Sequence, residues 1–461
     1  MKLVSQRGVL LHYLILSIVL LGFLFLLPAL GAGAVSIKWS LTVFIFCALL
    51  LAFQIISIRW FIPRQRLIFI LFIILSYLFN ISQVFLYGIG YELSENVGWA
   101  SILKSNDVQD ATIIAIKSII CFFWGGVTFF VFFNNSNSKK NFLETPGKLF
   151  VTVLLVVGFL CDVITNIYYP IAYGYAEGES SLLRTMLRLF GFLFSSAIVL
   201  KLSDCSIPKE RRKMILLFFI GYKLICMMTG YRAFSLINIA MAVYVYVRVT
   251  GGLKLTFKAV VLTIGAIVIG SALLVTVRNT RQTGVDLSSM AGIGVSGNPI
   301  FDIIAEFGIT LNVIIAALRD MNGIGVGGGQ LFTSFLSIIP GASSLFPNVD
   351  FYGLTMDTAL DIRGIGGSYI GDLVFDFGAN GISVSSFILG IILTPLFESF
   401  ERAIDQKRYV YMAFMFPMMV SFIYCVRSSL AKMPREFVWF FIIFYILWLF
   451  FAKRKRGQLA F

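Results

Sequence analysis

Histidine is almost absent from this chain: His12 is the single example, near the start of the first apolar run. Its scarcity removes Ser-His-Asp catalysis and histidine-based metal sites from consideration. Charge is sparse too, at 13% of residues, where a soluble domain carries about 25%. The six cysteines, Cys47, Cys121, Cys161, Cys205, Cys226 and Cys425, are scattered without a CxxC pair. Neither a disulfide framework nor a zinc site can be read from them. No internal repeat is evident, which argues against a transporter built from two related halves. The glycine-rich stretches at 323–329 and 364–371 are not nucleotide fingerprints, because those need a preceding strand.

What the chain does hold is apolar surface. Hydrophobic residues make up 59% of it, with 47 Phe among them, and the mean hydropathy is +0.91. Such an excess needs lipid rather than water as its solvent. Spanning helices of about 20 residues are predicted near 10–30, 38–58, 67–87, 113–133, 149–170, 183–202, 214–229, 233–249, 259–277, 381–398, 409–426 and 437–452. The fold class expected is therefore an all-α integral membrane protein with about twelve transmembrane helices, 1–461 forming a single membrane domain. The first run shows no small-residue cleavage site, and Lys2 and Arg7 fit a retained first span.

The net charge of +14 is not a nucleic-acid stripe, because the basic residues sit in short clusters between apolar runs. With the N-terminus cytoplasmic, each cytoplasmic loop is basic, as at Lys209, Arg211, Arg212 and Lys213, and at the tail Lys453, Arg454, Lys455 and Arg456. Both termini are then cytoplasmic. The cations left outside are mostly arginines: Arg184 and Arg188 at the end of one span, Arg232 in a turn, Arg278 and Arg281 past another span, and Arg427. Arginine presents a planar fork that binds phosphate bidentately, so this set suits a phosphate-bearing lipid. Ordinary snorkelling or ion pairing is the alternative for any one of them.

The segment 278–380 is the long stretch without a span, and it faces outward in this topology. Nearly half of the 40 Gly fall in or beside it. It is too apolar for disorder, so a folded helical cap on the bundle is expected. Within it, Asn298-Pro299 marks a helix start, and Ile300, Ile304, Phe307, Leu311, Ile314 and Leu318 make one apolar stripe. Asp302 and Glu306 share another face. Two readings stand: an amphipathic helix with a solvated acidic face, or Glu306 aimed into a cavity as a general base. Asp372 and Asp376 are likewise one turn apart at the mouth of the span near 381. They read either as structural partners of the outer arginines or as ligands of sugar hydroxyls, with the base role open to them as well.

Gly230-Tyr231-Arg232, Glu306-Phe307-Gly308, and Gly367-Ser368-Tyr369-Ile370-Gly371-Asp372 running into Phe375-Asp376-Phe377-Gly378 resemble the Wzy-type O-antigen and capsule polysaccharide polymerases. The resemblance covers the architecture of the whole chain and, in motifs, about residues 200–400. It implies a membrane glycosyltransferase related to the O-antigen ligases. The donor is a glycan on undecaprenyl diphosphate, and the acceptor is a lipid-linked repeat unit whose sugar hydroxyl attacks. It implies outer arginines as diphosphate ligands; with the readings above, the candidate catalytic residues are Glu306, Arg232 and Arg278, and the candidate substrate-binding residues are Arg281, Arg184, Arg188, Tyr369, Asp372, Asp376 and Arg427. Arg232 matches by motif, and Arg278 and Arg281 by position. The related ligases use a loop histidine that this chain lacks, which favours a polymerase over a ligase and leaves the base unassigned by the resemblance; Glu306 is the residue chosen for it from the sequence. No metal or other cofactor is expected, and nucleic acid is not an expected partner. Membrane lipids, a flippase and a chain-length regulator are. A lipid-linked oligosaccharide flippase is the alternative function; it needs no folded outer cap.

Overall fold

The computed structural model describes residues 6–31, 35–61, 67–91, 107–133, 146–168, 182–228, 232–251, 301, 304–305, 307–321, 329–349 and 367–451. Among them the regular elements are all helices. They are α1 (Gln6–Leu30), α2 (Ile37–Ile58), α3 (Ile68–Gly88), α4 (Asp107–Phe132), α5 (Lys148–Tyr168), α6 (Leu182–Ser203), α7 (Lys209–Met228) and α8 (Arg232–Thr250). There follow α9 (Thr310–Met321), α10 (Gln330–Leu336), α11 (Ala342–Leu345), α12 (Tyr369–Asp405), α13 (Tyr409–Tyr424), a 3-10 turn (Leu430–Lys432) and α14 (Met433–Phe451). Among the described residues, 9 helices are long and apolar enough to cross a membrane. The described residues thus form an all-helical array with the candidate spans of a multi-pass membrane protein. Helices α7 and α13 coincide with predicted segments but are not among those nine. The predicted span 259–277 lies outside the described residues.

Local hydrogen bonding fits a lipid solvent. With no water available, a polar side chain inside a span must find its partner in protein. Ser76, Thr112, Thr128, Thr165 and Thr394 each return their hydroxyl to the carbonyl four residues earlier. Asn80, Asn166 and Asn238 do the same with their amides.

Two compact units organise the helices. One comprises residues 1–138, 292–399 and 425–432. Its centre is α3 and α4, which are the most enclosed of its spans, while α1 is peripheral. Small residues let α4 and α12 meet: a Cβ on Gly125 would overlap the Phe387 carbonyl, and one on Gly390 the Phe122 carbonyl. The predicted stripe from 300 to 320 is interrupted at Gly308 and Ile309, where the chain turns before α9 begins. Helix α9 packs on α3 and α4, and Thr310 through Ile315 are all buried, so this stretch is an internal helix.

The other unit comprises residues 139–291, 400–424 and 433–461. Its most enclosed span is α6, which lies against α5 so closely that a Cβ on Gly158 would overlap the Phe194 amide. Lys223 on α7 is buried and bonds Asp162 of α5 at 2.7 Å, and the Tyr222 hydroxyl donates to the same carboxylate oxygen at 2.9 Å. At the end of α8, Arg248 donates to Glu401 at 2.8 Å and also pairs with Asp405.

Candidate functional site

Three segments singled out in the sequence meet on one face of α3. That face carries Ser76, Phe79, Asn80 and Gln83, spaced three and four apart in an otherwise apolar span.

The first segment is the motif at 304–308. Glu306 itself lies outside the described residues, but its neighbours are fixed on both sides. The Gln83 amide donates to the Ala305 carbonyl at 3.1 Å. The Phe307 ring packs on Phe79, centroids 5.0 Å apart. Gly308 then closes on α3 so tightly that a Cβ would lie 2.5 Å from Gln83 Cγ and 2.6 Å from its backbone nitrogen. The motif's glycine is thus a contact residue, because only a missing side chain permits that approach.

The second segment is the motif at 367–378. Gly367 runs against Ser428 and Ser429, where a Cβ would sit 2.5 Å from the Ser429 amide. Ser368 caps the helix: its hydroxyl accepts from the Ile370 amide at 3.2 Å. Tyr369 is buried, and its hydroxyl donates to Ser76 Oγ at 3.3 Å. Asp372 Oδ2 accepts from the Leu430 amide at 2.6 Å and the Ser429 hydroxyl at 2.9 Å, at the start of the 3-10 turn. Asp376 accepts from the Gln330 and Leu331 amides at 3.0 and 2.8 Å, at the start of α10. Each carboxylate therefore caps the N-terminus of a different helical segment, where unpaired amides and the helix dipole favour negative charge. Amide and hydroxyl donors hold the two acids. At Gly378 the backbone takes φ 72°, ψ 171°, a conformation suited to glycine, and α12 kinks. The apolar span predicted from 381 is the part after this kink.

Arg427 belongs to the third segment. Its guanidinium lies 6.0 Å from the Phe79 ring centroid, so one ring touches both Phe307 and Arg427. Asp372 fixes the backbone three residues beyond Arg427, which ties the second segment to the third.

The remaining arginines belong to the other unit. Arg184 and Arg188 lie in the first two turns of α6. Arg188 bonds Glu436 of α14 at 3.2 Å, with side chains 34% and 7% exposed. Its guanidinium lies 5.9 Å from the Phe192 ring and 5.8 Å from the Phe234 ring. Arg232 is the first residue of α8, two positions before Phe234, so the start of α8 is close to Arg188. Arg278 and Arg281 lie outside the described residues. Among the described residues, no three His, Cys, Asp or Glu side chains gather as a metal-binding group.

Sequence reasoning missed Glu436 and the α3 face. Both left a signal. Glu436 is the one acid in its apolar run and must have a partner, and Ser76, Asn80 and Gln83 recur at helical spacing on one side of α3.

None of the curated proteins matches the chain, and no solved structure matches it either. A family model does: O-antigen polysaccharide polymerase Wzy, over residues 13–455. That match runs through every helix described above, and the chain accordingly belongs to the O-antigen polysaccharide polymerase Wzy family.

Proposed function

We propose that the chain polymerises lipid-linked repeat units on the outer face of the bacterial cytoplasmic membrane. A glycan leaves undecaprenyl diphosphate and passes to the sugar hydroxyl of another lipid-linked unit. The family match over nearly the whole chain is the observation that carries this reading. The convergence of two motif segments and Arg427 on one face of α3 supports it.

The chemistry needs two things. A sugar hydroxyl must lose its proton as it attacks the anomeric carbon, and a diphosphate must be stabilised as it departs. Glu306 is proposed as the proton acceptor. Arg232 and Arg278 are proposed as ligands of the departing diphosphate, with Arg281, Arg184 and Arg188 supporting them and Glu436 orienting Arg188. Arg427 is assigned to the acceptor glycan. Tyr369, Asp372 and Asp376 serve that acceptor by fixing segments 329–336 and 425–432 around it. The reading keeps one membrane domain of about twelve spans, with 278–380 as its outward cap and both termini cytoplasmic. A flippase that supplies the repeat units and a regulator of chain length are the proposed partners.

Two experiments test it. Arg232→Lys and Arg278→Lys should each shorten the polymer sharply and Glu306→Gln should abolish it, all at unchanged protein level; three unaltered chain-length profiles would remove the assigned roles. In intact spheroplasts, an impermeant thiol reagent should modify Ser344→Cys and spare the native, exposed Cys205 of the α6–α7 loop. The reverse pattern would invert the topology and end the outer-face reading.

A further inference from the structure

We infer that α13 and α14 form a binding groove for one anionic phospholipid, separate from the residues assigned to glycosyl transfer. The groove is lined chiefly by Arg408, Tyr411, Phe414, Phe441, Tyr445 and Trp448. Its wall is a ladder of aromatic rings. Phe414 meets Phe441 at 5.6 Å, Phe441 stacks on Tyr445 at 5.7 Å, and Tyr445 stacks on Trp448 at 6.0 Å. Phe441, Tyr445 and Trp448 remain exposed at 48%, 45% and 38%. The wall is therefore open along its length to whatever surrounds α14, one of the helices apolar enough to span a bilayer.

The charge lies at one end. Arg408 immediately precedes α13, and its guanidinium sits 4.9 Å from the Tyr411 ring centroid. That stacking holds the cation at the rim of the trough. Lys407 precedes it in the chain, and no acidic residue lines the groove. Phe414 near the start of α13 packs on Phe441 and Phe444 of α14, so the two helices run antiparallel with Trp448 towards the Arg408 end.

An apolar trough with one fixed cation at its mouth fits an amphiphile with an acidic head. From Phe441 to Trp448 the helix rises about 10 Å, enough to lay part of an acyl chain along the rings. The guanidinium fork then meets the phosphate. A zwitterionic phospholipid offers the same chain but no net negative charge. The occupant is accordingly an anionic phospholipid of the leaflet at which α13 begins and α14 ends.

The test is a lipid titration of the purified full-length chain in detergent, read by native mass spectrometry. Phosphatidylglycerol should bind in preference to phosphatidylcholine. Arg408→Gln should lose about tenfold in phosphatidylglycerol affinity, the effect of deleting one charge-assisted hydrogen bond. Arg319→Gln, a cation of the other unit, should change nothing. Trp448→Ala trims an exposed ring, so the fold should tolerate it; it should weaken both lipids, which keeps the groove testable if Arg408→Gln fails to fold. Equal binding of the two lipids would overturn the proposal, as would a preference that survives both Arg408→Gln and Trp448→Ala. Displacement of phosphatidylglycerol by undecaprenyl phosphate, dependent on Arg408, would overturn the phospholipid assignment. Polymerisation itself does not enter these readouts, so this inference can fail while the enzymatic reading stands.

Discussion

Removing either partner of the Arg188–Glu436 pair should have very different consequences. The two side chains are 3.2 Å apart, but Glu436 is 7% exposed and Arg188 34% exposed. Arg188→Gln would strand a buried carboxylate without its cation. Breaking a buried pair in that way costs about 3–5 kcal/mol, mostly the penalty of the orphaned charge. Glu436→Gln leaves the guanidinium, which is one-third accessible and already lies over the Phe192 and Phe234 rings. Its loss belongs nearer the exposed range, about 1 kcal/mol. The double variant has no stranded charge and should resemble Glu436→Gln, which gives a coupling of about 3–5 kcal/mol. Reversible unfolding in mixed SDS micelles can rank the four proteins. Additive losses, or Glu436→Gln as costly as Arg188→Gln, would refute the asymmetry and with it the idea that Glu436 exists to hold Arg188.

Further outcomes follow from other contacts. Asp162→Asn should destabilise the chain by about 3 kcal/mol, because it strands Lys223 in an apolar span, and Asp162→Asn with Lys223→Met should recover much of that loss on the same unfolding scale. Gly308→Ala should abolish polymer while the protein still accumulates in the membrane, since the new methyl meets the Gln83 backbone; Gln83→Ala should not rescue it, because the clashing nitrogen remains. Normal polymer from Gly308→Ala would deny that contact a part in activity. Asp376→Ala releases the Gln330 and Leu331 amides, so limited proteolysis should cut within 329–349 faster than in the parent. An unchanged digestion pattern would deny Asp376 its role in holding α10.

Much of the helical layout was legible because apolar run length is a strong signal in a membrane chain. Helices α1, α2, α3 and α5 begin and end within a few residues of the predicted segments. The start of α12 was not legible. A hydropathy reading stops at Asp372, Asp376 and Gly378, and it does not see that helix N-termini elsewhere in the chain solvate those acids. Periodicity also ran straight through Gly308. The stripe continued, but the backbone turned there, and the turn exists because α3 lies against that glycine. For the candidate site, residue types were readable and pairings were not. A lone acid such as Glu436 or Asp162 announces that it needs a cation, while the identity of that cation, Arg188 or Lys223, is a property of helix packing. Glu306, Arg278 and Arg281 were reached by sequence alone and lie outside the described residues.

Purified protein reconstituted with undecaprenyl-diphosphate-linked repeat units, with and without a chelator, measures the proposed reaction itself. The account predicts a ladder of lipid-linked products differing by one repeat unit, formed without added metal and abolished by Glu306→Gln. Repeat units that cross the bilayer unjoined, with no ladder formed under any condition, would contradict it.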